Sequence, residues 1–114
     1  MCGRYAATAD PDELIEAFEV DLDATSESSR SVLVNPQDPP AGTPDYNMAP
    51  SKQAPVVLTR TPRGPDGDKQ PDAAPVRQLR HLTWGLVPSW AKDPKVGMRM
   101  TNARAESLLD KPAF

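Results

Sequence analysis

The sequence predicts an α+β fold, and three observations carry that prediction. One capped amphipathic segment lies near the N-terminus, and two β-rich runs lie in the middle of the chain. A turn-rich stretch separates those two runs.

Residues 10–20 read as the helix. Asp10 can cap it, Pro11 suits its first turn, and Glu13 lies three residues after the cap. Leu14, Ile15, Ala17 and Phe18 then form an apolar stripe, with Glu16 and Glu19 on the outer face. From Asp21 to Asp45 the chain becomes acidic, serine-rich and proline-rich, broken only by Val32-Leu33-Val34. That composition predicts a mobile insertion at 21–45. Pro55 to Thr61 reads as the first strand. Residues 62–75 hold Pro62, Gly64, Pro65, Asp66, Gly67, Pro71 and Pro75, and read as a second mobile insertion at a hairpin tip. Val76 to Trp84 alternates imperfectly and reads as the second strand, antiparallel to the first. Residues 85–100 are punctuated by Pro and Gly and read as loop, while residues 101–107 stay open between strand and helix.

A length of 114 residues fits one domain, and an apolar fraction of 38% with only 5% aromatics predicts a thin core. Fourteen prolines in 114 residues, against a usual share of ~5%, leave fewer positions for that core. A single cysteine excludes an internal disulfide, and one cysteine with one histidine argues against a zinc site of Cys/His type. The chain shows neither a basic-then-apolar leader nor an apolar run of membrane-spanning length, so a cytoplasmic protein without a membrane partner is expected.

The net charge of −3 hides an asymmetry. Residues 1–50 carry ten acids and two bases, whereas residues 51–114 carry six acids and eleven bases. Between Arg77 and Arg104 six bases face the single acid Asp93, with Trp84 and Trp90 among them. Cations interleaved with flat rings suit a groove for single-stranded nucleic acid. A solvated basic face has the same composition.

Cys2, the only cysteine, follows Met1 directly, and a small second residue is what methionine removal requires. Removal would leave an α-amine and a thiol on one residue. Such an aminothiol condenses with an aldehyde to an imine and closes to a thiazolidine. It could also attack an ester or amide carbonyl. The plainer alternative is a small apolar residue near a frayed terminus.

Four short motifs then stand in a fixed order. They are Met1-Cys2-Gly3-Arg4-Tyr5, Tyr46-Asn47-Met48-Ala49-Pro50, Trp84-Gly85-Leu86-Val87-Pro88-Ser89-Trp90 and Asn102-Ala103-Arg104-Ala105-Glu106, closed by Lys111-Pro112-Ala113-Phe114. Together they resemble the SOS response-associated peptidase (SRAP) family, the departures being the insertions at 21–45 and 62–75. The resemblance implies a β-rich, barrel-like fold with peripheral helices. It implies a sensor of abasic sites in single-stranded DNA, active in the DNA damage response, whose terminal cysteine traps the ring-opened sugar aldehyde as a thiazolidine crosslink. It implies no cofactor and no metal, and a domain that is monomeric when complete.

Carried over position by position, the resemblance makes Cys2 and Asn102 the catalytic pair, with Cys2 the nucleophile and Asn102 an amide beside the crosslink. Arg4 and Arg104 would clamp phosphates, since a guanidinium fork matches phosphate geometry. Asn47 and Pro50 would line the DNA path, and Trp90 would stack on a base. Trp84 reads as core, and Glu106 as structural support pairing Arg104. Each has a plainer reading: Asn102 as a turn residue, the arginines as surface ion pairs, Asn47 and Pro50 as an ordinary turn. Two other functions stay open. One is a cysteine peptidase or amidohydrolase that removes its own Met1; the other is a non-enzymatic DNA-binding fragment.

The resemblance also implies a family domain about twice this length, whose later part supplies an active-site glutamate and a histidine. Neither motif occurs here, and His81, the only histidine, lies inside the second strand, where it reads as a structural or surface residue. The expectation is therefore an N-terminal part of an SRAP domain, with unpaired strand edges and marginal stability on its own.

Overall fold

A computed structural model describes residues 2–27, 31–33 and 35–114. Met1, residues 28–30 and Val34 lie outside the described residues, and with them the expected loss of Met1 and the end of the Val32-Leu33-Val34 run. The arrangement is mixed α+β. Its elements run β1 (Tyr5–Ala7), α1 (Pro11–Ala17), β2 (Leu22–Asp23), β3 (Asp45–Met48), β4 (Gln53–Arg60) and β5 (Val76–Thr83). Short 3-10 turns follow at Pro94–Met98 and Ala105–Ser107.

The described strands pair as two sheets. β1 and β3 form an antiparallel pair, and β5 lies between β2 and β4 in the other sheet. The β4–β5 hairpin matches the sequence expectation in place and direction, with Gln53 opposite Thr83 at one end and Arg60 opposite Val76 at the other. It continues one pair further: the Trp84 N–H donates to the Lys52 carbonyl, and the Ser51 N–H to the Trp84 carbonyl, both at 2.9 Å. Ser51 turns the chain there with a φ of +73°. At the far end, the tip within 62–75 closes with an isolated Arg63–Lys69 bridge.

The helix forms where its caps predict. Asp10 accepts from the Asp12 N–H at 2.9 Å, and Glu13 reaches back to the Asp10 N–H at 3.0 Å, completing a capping box. Its apolar stripe is narrower than expected, because the helix stops at Ala17. Leu14 and Ile15 are half-buried, whereas Ala17 and Phe18 are exposed. Glu19, at φ +50°, bends the chain away before Phe18 can pack. Arg77 then donates to the Phe18 carbonyl at 2.8 Å, placing a cation at the helix C-terminal end.

The segment 21–45, expected to be a mobile insertion, contributes β2 and, among the described residues, the buried side chains of Ala24, Leu33 and Asp45. β2 pairs in parallel with β5 through Leu22–Gln78 and Asp23–Leu79. Ala24 and Leu33 are buried beside Met48, Ala54 and Leu79, the last with no exposed surface at all. The core is thin, as the composition predicts, and it includes polar members. Buried Gln78 donates to the Arg60 carbonyl at 2.9 Å, and buried Arg80 pairs with Glu27. No helix among the described residues is long and apolar enough to cross a membrane.

Candidate nucleophile and nucleic-acid interface

The site is assembled where the first sheet meets the open end of the β4–β5 hairpin. β1 pairs with β3 through Tyr5–Met48, which carries the N-terminal motif alongside the motif at 46–50. Arg4, one residue before β1, therefore reaches Asn47 in β3, and its Nη1 donates to Asn47 Oδ1 at 2.9 Å. Cys2 is exposed, and its Sγ lies 3.4 Å from the Arg4 carbonyl, to which the thiol donates. No side-chain base hydrogen-bonds Cys2 Sγ among the described residues.

Two aromatic rings hold this group against the hairpin. The Tyr5 and Trp84 rings form a tilted pair, 58° between planes with centroids 5.7 Å apart, within the separation at which aromatic pairs attract. Trp84 is half-buried, so its expected place in the core becomes a place at the core's edge. Its Nε1 donates to the Thr101 carbonyl at 2.8 Å, and the Leu86 N–H donates to the Met100 carbonyl at 2.9 Å. The third motif is thus fastened to residues 100–101, directly before the fourth. Asn102 follows immediately, exposed, with its Nδ2 donating to the Thr101 hydroxyl at 3.2 Å.

The electrostatics centre on Asp45. Its carboxyl is buried and lies below the usual carboxylate range, chiefly because Lys52 Nζ donates to Oδ2 at 2.8 Å, and then because the Asn47 N–H donates to Oδ1 at 2.8 Å. Tyr5 is pushed up, first by burial and then by the negative charge of Asp45. Away from the site, burial lowers His81, a shift partly opposed by Asp23. His81 sits in β5 against Gly42, consistent with a structural residue.

The remaining expected residues fall into two groups. Pro50 is half-buried at the turn that leads into Ser51. Arg104 is exposed at the start of the turn Ala105–Ser107 and forms no ion pair with Glu106, so the expected pairing is corrected. Two residues apart at a 3-10 start, the pair is not stacked as i and i+4 residues of a helix would be. Arg104 instead lines an open cleft of about 370 Å³ with Asn102, Arg99 and Lys111. Trp90 is 63% exposed on the loop after Pro88, and no ring contact ties it to the Cys2–Asn47 group.

The basic stretch also divides. Arg77 and Arg80 are committed to Phe18 and Glu27, while Lys92, Lys95, Arg99 and Arg104 are exposed and make no side-chain ion pair among the described residues. Asp93, the one acid, caps the Lys95 N–H at 2.9 Å. Among the described residues no group of three or more His, Cys, Asp or Glu side chains is placed to hold a metal ion.

Sequence reasoning missed Asp45, Lys52 and Thr101. The signal for the first two was an acid and a base flanking an Asn–Pro turn. Thr101 acts through its backbone carbonyl and hydroxyl, and residue type does not announce a carbonyl acceptor.

The family model described as SOS response associated peptidase (SRAP) matches residues 1–114. The abasic site processing protein YoqW of Bacillus subtilis is 36% identical over 116 residues, covering 100% of this chain and 39% of that protein. YoaM of the same organism is 35% identical, again over the whole chain and 39% of its own length. The abasic site processing protein HMCES of Rattus norvegicus is 33% identical over 117 residues, 31% of its length. The chain thus spans less than half of these curated relatives. No solved structure matches it.

Proposed function

The chain belongs to the SOS response associated peptidase (SRAP) family, and from that premise we propose that it acts on abasic sites in single-stranded DNA during the DNA damage response. In this reading Met1 is removed and the α-amine of Cys2 attacks the aldehyde of the ring-opened sugar. Loss of water gives an imine. The thiol sulfur then adds to the imine carbon as its proton passes to nitrogen, closing a thiazolidine that joins protein to DNA. No redox partner, metal or cofactor enters this balance.

The observation that carries the proposal is the placement of exposed Cys2 beside the Arg4–Asn47 pair, 2.9 Å apart although 43 residues separate them. Arg4 is thereby aimed near the nucleophile, where a phosphate flanking the lesion would lie. Asn102 is the amide beside the crosslink, reached through Trp84 and Thr101. Pro50 lines the path, Arg104 adds a second phosphate contact from the basic cleft, and Trp90 offers an exposed ring for a base. In the complete, monomeric domain the two sheets would belong to one barrel-like core. The thiol's bond to a backbone carbonyl, with no side-chain base hydrogen-bonded to it among the described residues, gives a peptidase reading no comparable support.

The test is the intact mass of the purified protein after incubation with single-stranded DNA carrying one abasic site. A heat-stable adduct, with the free protein lacking Met1, is expected. Cys2→Ala should abolish it, and Cys2→Ser should leave only a reversible product. Retention of Met1 on most molecules, or an equally stable serine adduct, refutes thiazolidine capture. Arg4→Ala and Arg104→Ala should each flatten the salt dependence of DNA binding by about 0.7 in log–log slope per lost phosphate contact.

A further inference from the structure

Lys52 lies one residue past the Ser51 turn, on the protein side of Asn47, and its ammonium makes three contacts. It donates to Asp45 Oδ2 at 2.8 Å, to the Asn47 carbonyl at 3.1 Å and to the Asp38 carbonyl at 3.2 Å. An ammonium has three donors, and all three are used. Its side chain is only 19% exposed, so it is not placed to meet a phosphate itself. Asp45, on its other oxygen, accepts the Asn47 N–H at 2.8 Å. Asn47 is therefore held at both its N–H and its carbonyl by one buried ion pair, and its side-chain Oδ1 holds Arg4.

We infer that the Lys52–Asp45 pair is a positioning device, setting Asn47 so that Asn47 can aim Arg4 at the phosphate beside the captured lesion. The inference rests on the DNA-binding reading above. A buried ion pair is poor evidence of stability, because desolvation offsets much of the attraction. Its clearer consequence here is geometric. The pair fixes the two backbone groups of a single residue, and that residue's side chain orients a cation two positions from Cys2. The cation then needs no rearrangement on binding, so less ordering cost falls on the complex.

The experiment combines substitutions at two sites in the purified protein. Lys52→Met keeps the side chain's length and removes its donors. Lys52→Arg keeps the charge but cannot direct three bonds from one point. With single-stranded DNA carrying an abasic site, Lys52→Met should raise the half-saturating DNA concentration for adduct formation roughly tenfold, the scale of one lost charge-assisted contact. The rate at saturation should change less. Lys52→Arg should resemble Lys52→Met. Adding Lys52→Met to Arg4→Ala should produce no further loss, because positioning has no effect once its object is gone. Additive losses, or full activity in Lys52→Arg, would overturn the inference in favour of Lys52 acting through charge alone.

A second readout needs no DNA. The Nε–H order parameter of Arg4, from ¹⁵N relaxation of the free protein, should fall in Lys52→Met and in Asp45→Asn while backbone amides of β5 hold steady. An unchanged Arg4 order parameter overturns the positioning role. If the wild-type protein forms no adduct at all, it is the proposed function that fails, and this second readout still decides whether Lys52 and Asp45 order Arg4.

Discussion

Replacing Trp84 tests the junction that joins the first and third motifs to the segment leading into the fourth. Its indole N–H donates to the Thr101 carbonyl at 2.8 Å, and its ring meets Tyr5 at a centroid distance of 5.7 Å. Trp84→Phe keeps an aromatic ring against Tyr5 and removes the donor. A half-buried carbonyl left without its partner can recruit water, so the loss should be about 1 kcal/mol, the net value of one hydrogen bond. Trp84→Ala also loses the ring. Burying a whole tryptophan side chain is worth ~3–5 kcal/mol in truncation, and half-burial brings that to about 2 kcal/mol. The aromatic pair adds ~1 kcal/mol. The alanine variant should therefore lose about 4 kcal/mol in all, a large part of the ~5–15 kcal/mol typical of a domain. Urea unfolding followed by far-UV circular dichroism reads both variants without depending on tryptophan emission. A phenylalanine variant as stable as wild type would show that the Thr101 bond contributes nothing to the junction. Equal losses in the two variants would mean that the donor, and not the ring, supplies the whole effect.

Three further outcomes are expected. His81 is lowered from its usual 6.5 mainly by burial, so the unfolded chain binds the proton more readily. The stabilisation from neutral His81 is then full above about pH 6.5 and is lost as the pH falls through the folded value. His81→Gln should remove that part of the stability–pH curve, and an unchanged curve between pH 7 and 5 would refute the reasoning. Asp10→Ala removes the side-chain acceptor of the Asp12 N–H while leaving the backbone N–H that donates to Glu13, and should cost about 1 kcal/mol, read from the urea midpoint; no change would mean that α1 does not depend on its cap. Gly85→Ala should be far worse than Gly97→Ala. At Gly85, φ is +142° and a Cβ would lie 2.4 Å from the Gly97 carbonyl oxygen, whereas at Gly97 the nearest atom is the Val87 Cγ2 at 2.9 Å, a side-chain end that can move. Thermal melts that rank the two variants the other way would refute this.

The sequence and the structure agree best where a local rule decides the outcome. Asp10, Pro11 and Glu13 specify a helix start through hydrogen bonds within four residues, and the chain follows them. The strand-like runs at 55–61 and 76–84 needed only each other, and they pair as expected. β2 escaped because two residues carry no period. It exists because β5 offers an open edge: the Asp21 N–H donates to the Arg77 carbonyl and the Ala24 N–H to the Leu79 carbonyl. β1 and β3 were recognisable as motifs but not as strands, since Tyr5–Ala7 and Asp45–Met48 are each short and partly exposed. Glu106 shows the opposite error. Charge and proximity in sequence suggested a pair with Arg104, but the backbone between them follows a 3-10 turn and leaves both in solvent.

A chain of pairings links the segment at Cys2 to the segment at Asn102. Backbone pairing sets the first steps: β1 against β3 brings Arg4 to Asn47, and the Ser51–Trp84 and Lys52–Trp84 bonds bring the 46–50 motif to the hairpin's open end. Side chains complete it, with Tyr5 on Trp84 and Trp84 on Thr101. The 62–75 tip lies at the opposite end of the same hairpin. From Gln53 to Arg60 is seven steps of strand, or ~24 Å at ~3.4 Å per residue, beyond the Debye length of ~8 Å at physiological salt. Under the proposed function, the cations of that tip, Arg63 and Lys69, would therefore be screened from a DNA strand at Arg4, although they add to the same positive half of the chain. The positive charge relevant to the site is the portion that the fold brings near it: Arg4 beside Asn47, and Arg99, Arg104 and Lys111 around the cleft at Asn102.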